Sequence, residues 1–306
     1  MSRTSSEINE EIAVKISKFK EIFVPYPPHV HLHAECDLLR KLNRELRGKP
    51  QYGLRVLAPT GSGKSTTAGS YIAYVEKTTP RTADYIPVIK IDLERHMTSK
   101  KLMVLILQAF GDPFPNYGNE LMLKKRVIAC FVRFRTELLI VDEVQHLNYR
   151  SGSKNDVTDT LKGLLDTGVV SIVFLGTEEA EKMFNRNLQL NGRLRPPCDL
   201  KPLIAKKAKD QKLFAGFVSY LDKALVDTGV LPQLSGLNDP KILASLFEVS
   251  SGVVGRVVRL LHVALEAAIR RGGSQIDIAD LSWAVDAWAV EQGFVKKNPF
   301  RDGRFA

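Results

Sequence analysis

The feature that most constrains this chain is residues 54–66, where a short apolar run leads directly into a loop with two closely spaced glycines. The run reads L-R-V-L-A-P and the loop reads T-G-S-G-K-S-T. A strand, a glycine-rich loop and a following helix allow backbone N–H groups and the helix N-terminus to surround phosphate oxygens. The pattern predicts an α/β nucleotide-binding domain with a phosphate loop made of Thr60, Gly61, Ser62, Gly63, Lys64, Ser65 and Thr66.

Two side chains of this loop have specific expected roles. We expect Lys64 to neutralise the β- and γ-phosphates, and we expect the Ser65 hydroxyl to coordinate Mg²⁺. Ala58 occupies the position at which the G-x-x-x-x-G-K-[ST] pattern has its first glycine. That glycine only eases the exit from the strand, so the alanine weakens the match more than the mechanism. A glycine-rich turn with a chance Lys-Ser pair is the simpler alternative.

A second motif is the apolar run 138–143, which reads L-L-I-V-D-E and ends on two carboxylates. Such a continuous run is typical of a parallel strand that is buried on both faces. We expect Asp142 to hold Mg²⁺ through water and Glu143 to polarise the water that attacks the γ-phosphate. No N/T-K-x-D element for guanine is present, so the pair favours ATP hydrolysis. Emergence of the chain into solvent is the alternative explanation of the two acids.

Three weaker signals follow along the chain. The apolar run 169–177 ends at Thr177, where a hydroxyl could sense the γ-phosphate or the attacking water. Arg193 and Arg195 lie just before a probable strand and suit an arginine finger that reaches a neighbouring subunit's nucleotide. Arg256 lies near the start of an amphipathic helix. The structural alternatives are a helix N-cap for Thr177, a solvated cation for Arg193 and an ion-pair partner for Arg256.

The charge of the chain indicates a polyanionic partner. The net charge is +10 and the isoelectric point is near 9.4, a balance that favours nucleic acid. One basic cluster follows the predicted strand 86–92, a second lies near 124–126 and a third spans 201–212. No aromatic residues interleave the first cluster, so tracking of the duplex DNA backbone is favoured over base stacking. The residues that we expect to contact DNA are Arg95, Lys100, Lys101, Lys124 and Lys125.

The motifs A-P-T-G-S-G-K-S, L-L-I-V-D-E-V-Q-H-L, F-L-G-T and G-x-x-G-R, in this order over almost the whole chain, resemble those of the AAA+ ATPases. More narrowly, D-E-V-Q-H-L, Q-L-N-G-R, the early P-Y-P-P-H and the late N-P-F look like the TniB and TnsC branch, whose members are ATP-dependent regulators of DNA transposition, akin to MuB in role.

The resemblance implies a role for each site residue. Lys64 and Ser65 correspond to Walker A, Asp142 and Glu143 to Walker B, Thr177 to sensor 1, Arg193 to the arginine finger and Arg256 to sensor 2. Arg186 and Arg195 remain alternatives to Arg193 as the finger.

The resemblance also implies cofactors and partners. The cofactors are ATP and Mg²⁺, and the partners are duplex DNA, further copies of the chain in a ring or helical filament, a transposase and a targeting adaptor protein. ATP hydrolysis to ADP and phosphate would drive disassembly. We expect a DNA-associated protein of the bacterial cytosol. The alternatives are a clamp-loader or replication-initiator ATPase, for which the chain after residue 290 leaves no room for the usual further domain, a P-loop small-molecule kinase, and a nucleotide switch without turnover.

The expected organisation is an α/β AAA+ P-loop domain with a parallel sheet, followed by a small helical lid. We expect a helical lead-in over 1–50, with helices at 5–24 and about 33–47, the nucleotide-binding domain over 51–205, the lid over 206–292 and a flexible tail over 293–306. The expected lid helices span about 208–227, 239–249, 254–271 and 277–290. A further helix is expected at 156–165. Neither a membrane span nor a secretory signal is expected.

Overall fold

The apolar runs of the sequence form a parallel sheet of four strands in the part of the chain that is described by the computed structural model, namely residues 4–149, 157–303 and 305. The strands are β1 (Gly53–Leu57), β2 (Val88–Asp92), β3 (Leu138–Asp142) and β4 (Ser171–Gly176). Their order across the sheet is β1-β4-β3-β2, and every neighbouring pair is parallel. The α/β fold class and the parallel sheet expected from the sequence are confirmed.

The sheet is buried on both faces because alternate side chains of each strand enter two separate apolar clusters. In β3, for example, Leu139 and Val141 join one cluster, while Leu138 and Ile140 join the other. Side chains on opposite faces of a strand alternate with a period of two, which explains this division. The sheet therefore forms the middle layer between two layers of helices.

The helices of the α/β unit cover these two faces. One face is covered by α4 (Ser99–Ala109), α5 (Glu120–Arg133) and α6 (Val157–Asp166), and the other by α2 (Pro27–Glu45) and α3 (Lys64–Thr78). A 3₁₀ helix, Val144–Tyr149, follows β3, and the short helices α7 (Glu181–Arg186) and α8 (Leu188–Asn191) follow β4. The expected helix at 156–165 corresponds to α6, and its residue 156 lies outside the described residues.

A second, helical unit has its own apolar core. It contains α1 (Ser5–Glu21), α9 (Ala208–Asp227), α10 (Pro240–Ser250), α11 (Val254–Arg270) and α12 (Ile278–Ala284), which a π-helical segment, Val285–Val290, extends. The core is built around α11, in which eight side chains are buried. On the same helix, His262 contacts the ring of Phe19, and burial, followed by the charges of Arg259 and Lys20, lowers its pKa.

The units differ in extent from the expected domains. One unit comprises Met1–Tyr26, Gly61–Gly63 and Pro202–Ala306, and the other comprises Pro27–Thr60 and Lys64–Lys201. The expected lead-in is thus divided between the two units at residue 26. Its second helix begins at Pro27 rather than near residue 33, because proline fits the first turn of a helix, where its missing N–H is not needed.

The C-terminal segment, expected to be a flexible tail, packs within the helical unit. The side-chain amide of Asn298 donates to the Ser282 carbonyl at 2.8 Å and to an Asp286 carboxylate oxygen at 2.9 Å. Phe300 is only 5% exposed and stacks with Phe305. Two apolar rings and one amide therefore hold a segment whose polar composition suggested a loose end.

The probable strand expected after Arg195 is an irregular segment that pairs with β1. The N–H groups of Arg195, Cys198 and Leu200 donate to carbonyls of β1 at 2.8–2.9 Å. Pro196 and Pro197 lack N–H donors and interrupt a regular ladder. None of the helices in the described part of the chain combines the length and apolarity needed to cross a bilayer.

Candidate nucleotide-binding site

The carboxyl ends of β1, β4 and β3 lie side by side at one edge of the sheet. Leu57 pairs with Gly176, and the N–H of Ala58 donates to the Gly176 carbonyl at 3.0 Å. The phosphate loop follows β1, the two acids close β3, and Thr177 follows β4. The parallel order of the strands therefore brings these sequence motifs to a common edge, where open α/β sheets bind their ligands.

The phosphate loop has the backbone that its glycines allow. Gly61 and Gly63 have φ values of +80° and +86°, in the left-handed region where a Cβ is unfavourable. Ala58 is not among the described residues with positive φ, which explains why a glycine is not required there. Thr60, Ser65 and Thr66 are exposed, and Lys64 is the first residue of α3.

Lys64 is a largely buried residue that has no counter-charge among the described residues. The residue is only 7% exposed, and its ammonium group has neither an ion pair nor a hydrogen bond to any residue that the structure describes. A buried charge without a partner is costly. At the N-terminus of a helix, where anions are favoured, this cation has the surroundings expected of a residue that binds phosphate.

Asp142 is a buried carboxylate with two contacts. It is 1% exposed, one oxygen accepts from the Glu143 N–H at 2.9 Å, and the other lies 3.1 Å from the Lys90 ammonium. Lys90 also lies 2.5 Å from Asp92. Burial would lower the pKa of Lys90, but its bonds to Asp92 and Asp142 outweigh burial and raise it. Sequence reasoning missed Lys90, although a lysine inside an apolar strand was a usable signal.

Glu143 is linked to the end of β4 by a glutamine that sequence reasoning also missed. Its backbone has a φ of +61°, a value that is uncommon for a residue other than glycine. Its carboxylate accepts a hydrogen bond from the Gln145 side-chain amide. The Gln145 carbonyl oxygen in turn accepts from the Thr177 N–H at 3.1 Å. Gln145 therefore connects two predicted site residues, Glu143 and Thr177.

The Thr177 hydroxyl is buried and has no hydrogen-bond partner among the described residues. Thr177 occupies the N-cap position of a short 3₁₀ helix, Glu178–Ala180, but its side chain makes no capping bond. The alternative role of helix N-cap therefore does not account for the hydroxyl. Buried hydroxyls are nearly always hydrogen-bonded, so this one has the property expected of a group that meets a ligand.

Arg256 lies in the helical unit, and so does the segment Gly61–Gly63. Within that unit, a Cβ placed on Gly61 would lie 3.3 Å from the Arg256 side chain. The Arg256 guanidinium lies 4.4 Å from the centre of the Phe294 ring, and its buried Nε has no hydrogen-bond partner among the described residues. Burial lowers the pKa of Arg256. No ion pair to Arg256 occurs in the described chain, so the ion-pair alternative is not realised.

The three arginines considered for a finger have different surroundings. Arg193 is 41% exposed and lies 2.8 Å from an Asp166 carboxylate oxygen. Arg195 lies 3.2 Å from Glu35. Arg186 is exposed at the end of α7 and has no ion pair or hydrogen bond to the residues that are described.

The basic residues expected to contact DNA lie on one loop and two helices. Arg95 is exposed in the loop after β2, and Lys100 and Lys101 are exposed in the first turn of α4. Lys124 is half-buried and Lys125 is exposed, both on α5. None of the five forms an ion pair within residues 4–149, 157–303 and 305. Lysines in the first turn of a helix oppose its dipole, so the α4 pair costs a small amount of stability.

Comparison with known proteins agrees with this architecture. The sequence matches the family described as "Bacterial TniB protein" over residues 21–200, which is more than half of the chain. No curated protein matches the sequence.

Solved structures show the same fold at low sequence identity. CDC6p from Pyrobaculum aerophilum has a TM-score of 0.62 and 16% identity, over 89% of this chain and 70% of that chain. Aeropyrum pernix ORC2, solved in ADPNP–ADP complexes, has a TM-score of 0.59 and 15% identity, over 83% and 67%. Aeropyrum pernix ORC1, solved in complex with DNA, has a TM-score of 0.57 and 19% identity, over 84% and 65%.

The chain thus spans about two thirds of the length of these solved chains. At these identities the likeness concerns the fold alone, which is the AAA+ fold of the ORC and Cdc6 proteins. The family match is independent of it and covers most of the α/β unit, including the phosphate loop, the acid pair and Thr177. The chain belongs to the TniB family.

Proposed function

We propose that this protein is an ATP-dependent, DNA-binding regulator of transposition. It binds ATP with Mg²⁺, assembles on duplex DNA, recruits and activates a transposase, and disassembles after hydrolysis of ATP to ADP and phosphate. The observation that carries the nucleotide part is Lys64 at the N-terminus of α3, a residue that is only 7% exposed and whose ammonium group has no counter-charge among the described residues. The family match supports the connection with transposition.

The phosphate loop binds the triphosphate through its backbone. Gly61 and Gly63 allow the left-handed turns that point N–H groups inward, and the N-terminus of α3 adds a favourable dipole. Lys64 supplies the positive charge for the β- and γ-phosphates. Arg256 is assigned as a second cation for the triphosphate, because its buried Nε has no hydrogen-bond partner among the described residues.

Asp142 and Glu143 have different roles in the proposed hydrolysis. Ser65 and Asp142 offer the hard oxygen ligands that Mg²⁺ prefers, and they would hold the ion, which would offset the negative charge of the phosphates. The Lys90 ammonium group lies beside the Asp142 carboxylate and offsets its negative charge. Glu143 orients and polarises the attacking water. The Thr177 hydroxyl, which has no hydrogen-bond partner in the described part of the chain, donates to the γ-phosphate or to that water.

Assembly places the nucleotide of one subunit against an arginine of the next. Arg193 is the assigned finger, and releasing it from Asp166 costs little because partly exposed ion pairs contribute only about 0–1 kcal/mol. Arg186, which has no ion pair or hydrogen bond to a described residue, is an alternative. A ligand that binds across an interface stabilises the assembled state by its differential affinity, so ATP favours the oligomer.

The DNA contact is assigned to Arg95, Lys100 and Lys101, with Lys124 and Lys125 as a second basic cluster. Three observations support it: the net charge of +10, the exposure of the first three side chains and the absence of intrachain ion pairs to any of the five among the described residues. Contacts of this kind bind phosphates without reading the sequence. We place the protein on DNA in the bacterial cytosol, with a transposase and a targeting adaptor as protein partners.

A replication-initiator ATPase is the second candidate, because the ORC and CDC6p structures share the fold. The family match favours transposition. Electron microscopy of the purified protein with duplex DNA, in ATP or a non-hydrolysable analogue, tests the proposal. We expect rings or filaments only with nucleotide, and we expect Lys64→Ala to abolish them. Nucleotide-independent DNA binding by a monomer would contradict the proposal.

A further inference from the structure

Gln145 has contacts that none of the roles assigned above explains. It is a polar residue with only 7% exposure in the 3₁₀ helix after β3. Its side-chain amide donates to the Glu143 carboxylate, and its carbonyl oxygen accepts from the Thr177 N–H at 3.1 Å. One side chain thus connects the ends of β3 and β4, which carry Glu143 and Thr177 of the candidate site.

The orientation of the Gln145 amide follows from its partners. The Thr177 backbone N–H can only donate, so the group that faces it is the carbonyl oxygen. The amino group must then face Glu143, whose ionised carboxylate can only accept. A hydrogen bond to a charged acceptor is stronger than one between neutral groups, so this contact fixes the carboxylate well.

The backbone around Gln145 is adapted to this arrangement. A Cβ on Gly176 would lie 3.0 Å from the Gln145 carbonyl oxygen and 2.7 Å from a Val144 methyl group. Only glycine leaves the amide this close to β4. Glu143 meanwhile has a left-handed φ of +61°, a conformation that persists only where the surroundings impose it.

We infer that Gln145 is a positioning residue, which holds the Glu143 carboxylate in a fixed relation to Thr177 at the end of β4. The inference rests on the proposed hydrolysis of ATP at this site. Gln145 does not touch the reacting atoms. It acts through Glu143, because a water-polarising carboxylate must be placed within a fraction of an ångström to be effective.

Steady-state hydrolysis of ATP by the full chain, with Mg²⁺ and duplex DNA, tests the inference in two variants. Gln145→Met has a similar length and no amide, and we expect kcat to fall about 10- to 100-fold while KM stays within about threefold. Gln145→Glu keeps the acceptor for the Thr177 N–H but places a second carboxylate against Glu143. We expect an equal or larger loss of kcat.

These variants distinguish a role of Gln145 in positioning the Glu143 carboxylate from a purely structural role. If Gln145 only attached the 3₁₀ helix to β4, Gln145→Glu would retain most of the wild-type kcat. Gln51→Met is a matched control, since Gln51 is 1% exposed and donates to the Leu46 and Lys49 carbonyls at 2.8 and 3.0 Å. We expect this control to lower the midpoint of urea unfolding and to leave kcat unchanged.

A double-mutant cycle with Glu143→Gln shows whether the two residues act together. For variants too slow for a steady-state assay, the rate of ATP hydrolysis is measured under single-turnover conditions. If Gln145 works through Glu143, Gln145→Met causes no further loss in the Glu143→Gln background. A further 10- to 100-fold loss there overturns the inference, as does a wild-type or increased kcat in Gln145→Met alone. Absence of hydrolysis by the wild type would instead refute the proposed function.

Discussion

Replacement of Gly176 by alanine tests whether the geometry of the site depends on close approach between β4 and the segment after β3. The added Cβ would lie 2.7 Å from a methyl carbon of Val144, which is fully buried. Carbon atoms in ordinary contact are about 3.5–4.0 Å apart, so Val144 must move by roughly 0.8 Å. Val144 lies between Glu143 and Gln145, and we expect its displacement to shift both.

The displacement has two expected consequences. Overpacking of a filled core costs about 1–3 kcal/mol, so the free energy of unfolding falls by that amount. A shift of this size at a catalytic carboxylate lowers kcat by about 10- to 100-fold. Urea unfolding followed by circular dichroism measures the first quantity, and ATP hydrolysis at saturating Mg²⁺ measures the second.

Gly69→Ala is the matched control. Gly69 lies within α3, and a Cβ there would meet nothing within 4 Å. Alanine has a higher helix propensity than glycine, so this variant gains up to about 1 kcal/mol and keeps its kcat. If Gly176→Ala equalled the wild type in both measurements, the close packing between β4 and Val144 would have no bearing on catalysis, and the reasoning would fail.

Three further predictions concern hydrolysis, DNA and pH. Glu143→Gln should slow ATP hydrolysis about 10²- to 10⁴-fold and prolong the life of the DNA-bound oligomer, and unchanged dissociation in a fluorescence assay would show that turnover does not drive release. Replacement of Arg95, Lys100 and Lys101 by alanine should weaken DNA binding and reduce the salt slope by about 0.9 per lost phosphate contact; an unchanged slope in anisotropy titrations would redirect attention to residues 201–212. Burial and neighbouring cations lower the pKa of His262, so its contribution to stability is complete above an unfolded pKa of about 6.5 and is lost as the pH falls below it. His262→Gln should therefore lose less stability than the wild type between about pH 7.5 and about pH 5.5 in urea unfolding, and an identical loss would contradict this assignment.

The elements that could be predicted from the sequence are those with a strong local pattern. Each strand lies in a mainly apolar run, although Arg55 interrupts β1 and Lys90 interrupts β2. Helix α9 begins and ends at the expected residues, Ala208 and Asp227. The phosphate loop is equally local, because its glycines and its lysine are adjacent in the chain. Local patterns of this kind need no knowledge of which strands are neighbours.

The features that sequence reasoning missed depend on neighbours. Lys90 contacts Asp142 because β2 pairs with β3 in a register that places Asp92 opposite Asp142. Gln145 reaches Thr177 because β3 and β4 are adjacent in the sheet order. Neither of these strand pairings can be predicted from the sequence of one segment alone. The packed C-terminal segment is similar, since Phe300 belongs to the apolar core of the helical unit and Asn298 donates to the Ser282 carbonyl.

Isothermal titration calorimetry of the purified protein with ATP and saturating Mg²⁺ tests most directly whether this edge of the sheet binds a nucleotide. We predict a saturable heat with the wild type, and little or none with Lys64→Ala, because the cation that we assign to the β- and γ-phosphates is removed. Absence of heat with the folded wild-type protein, with and without duplex DNA, would contradict the account.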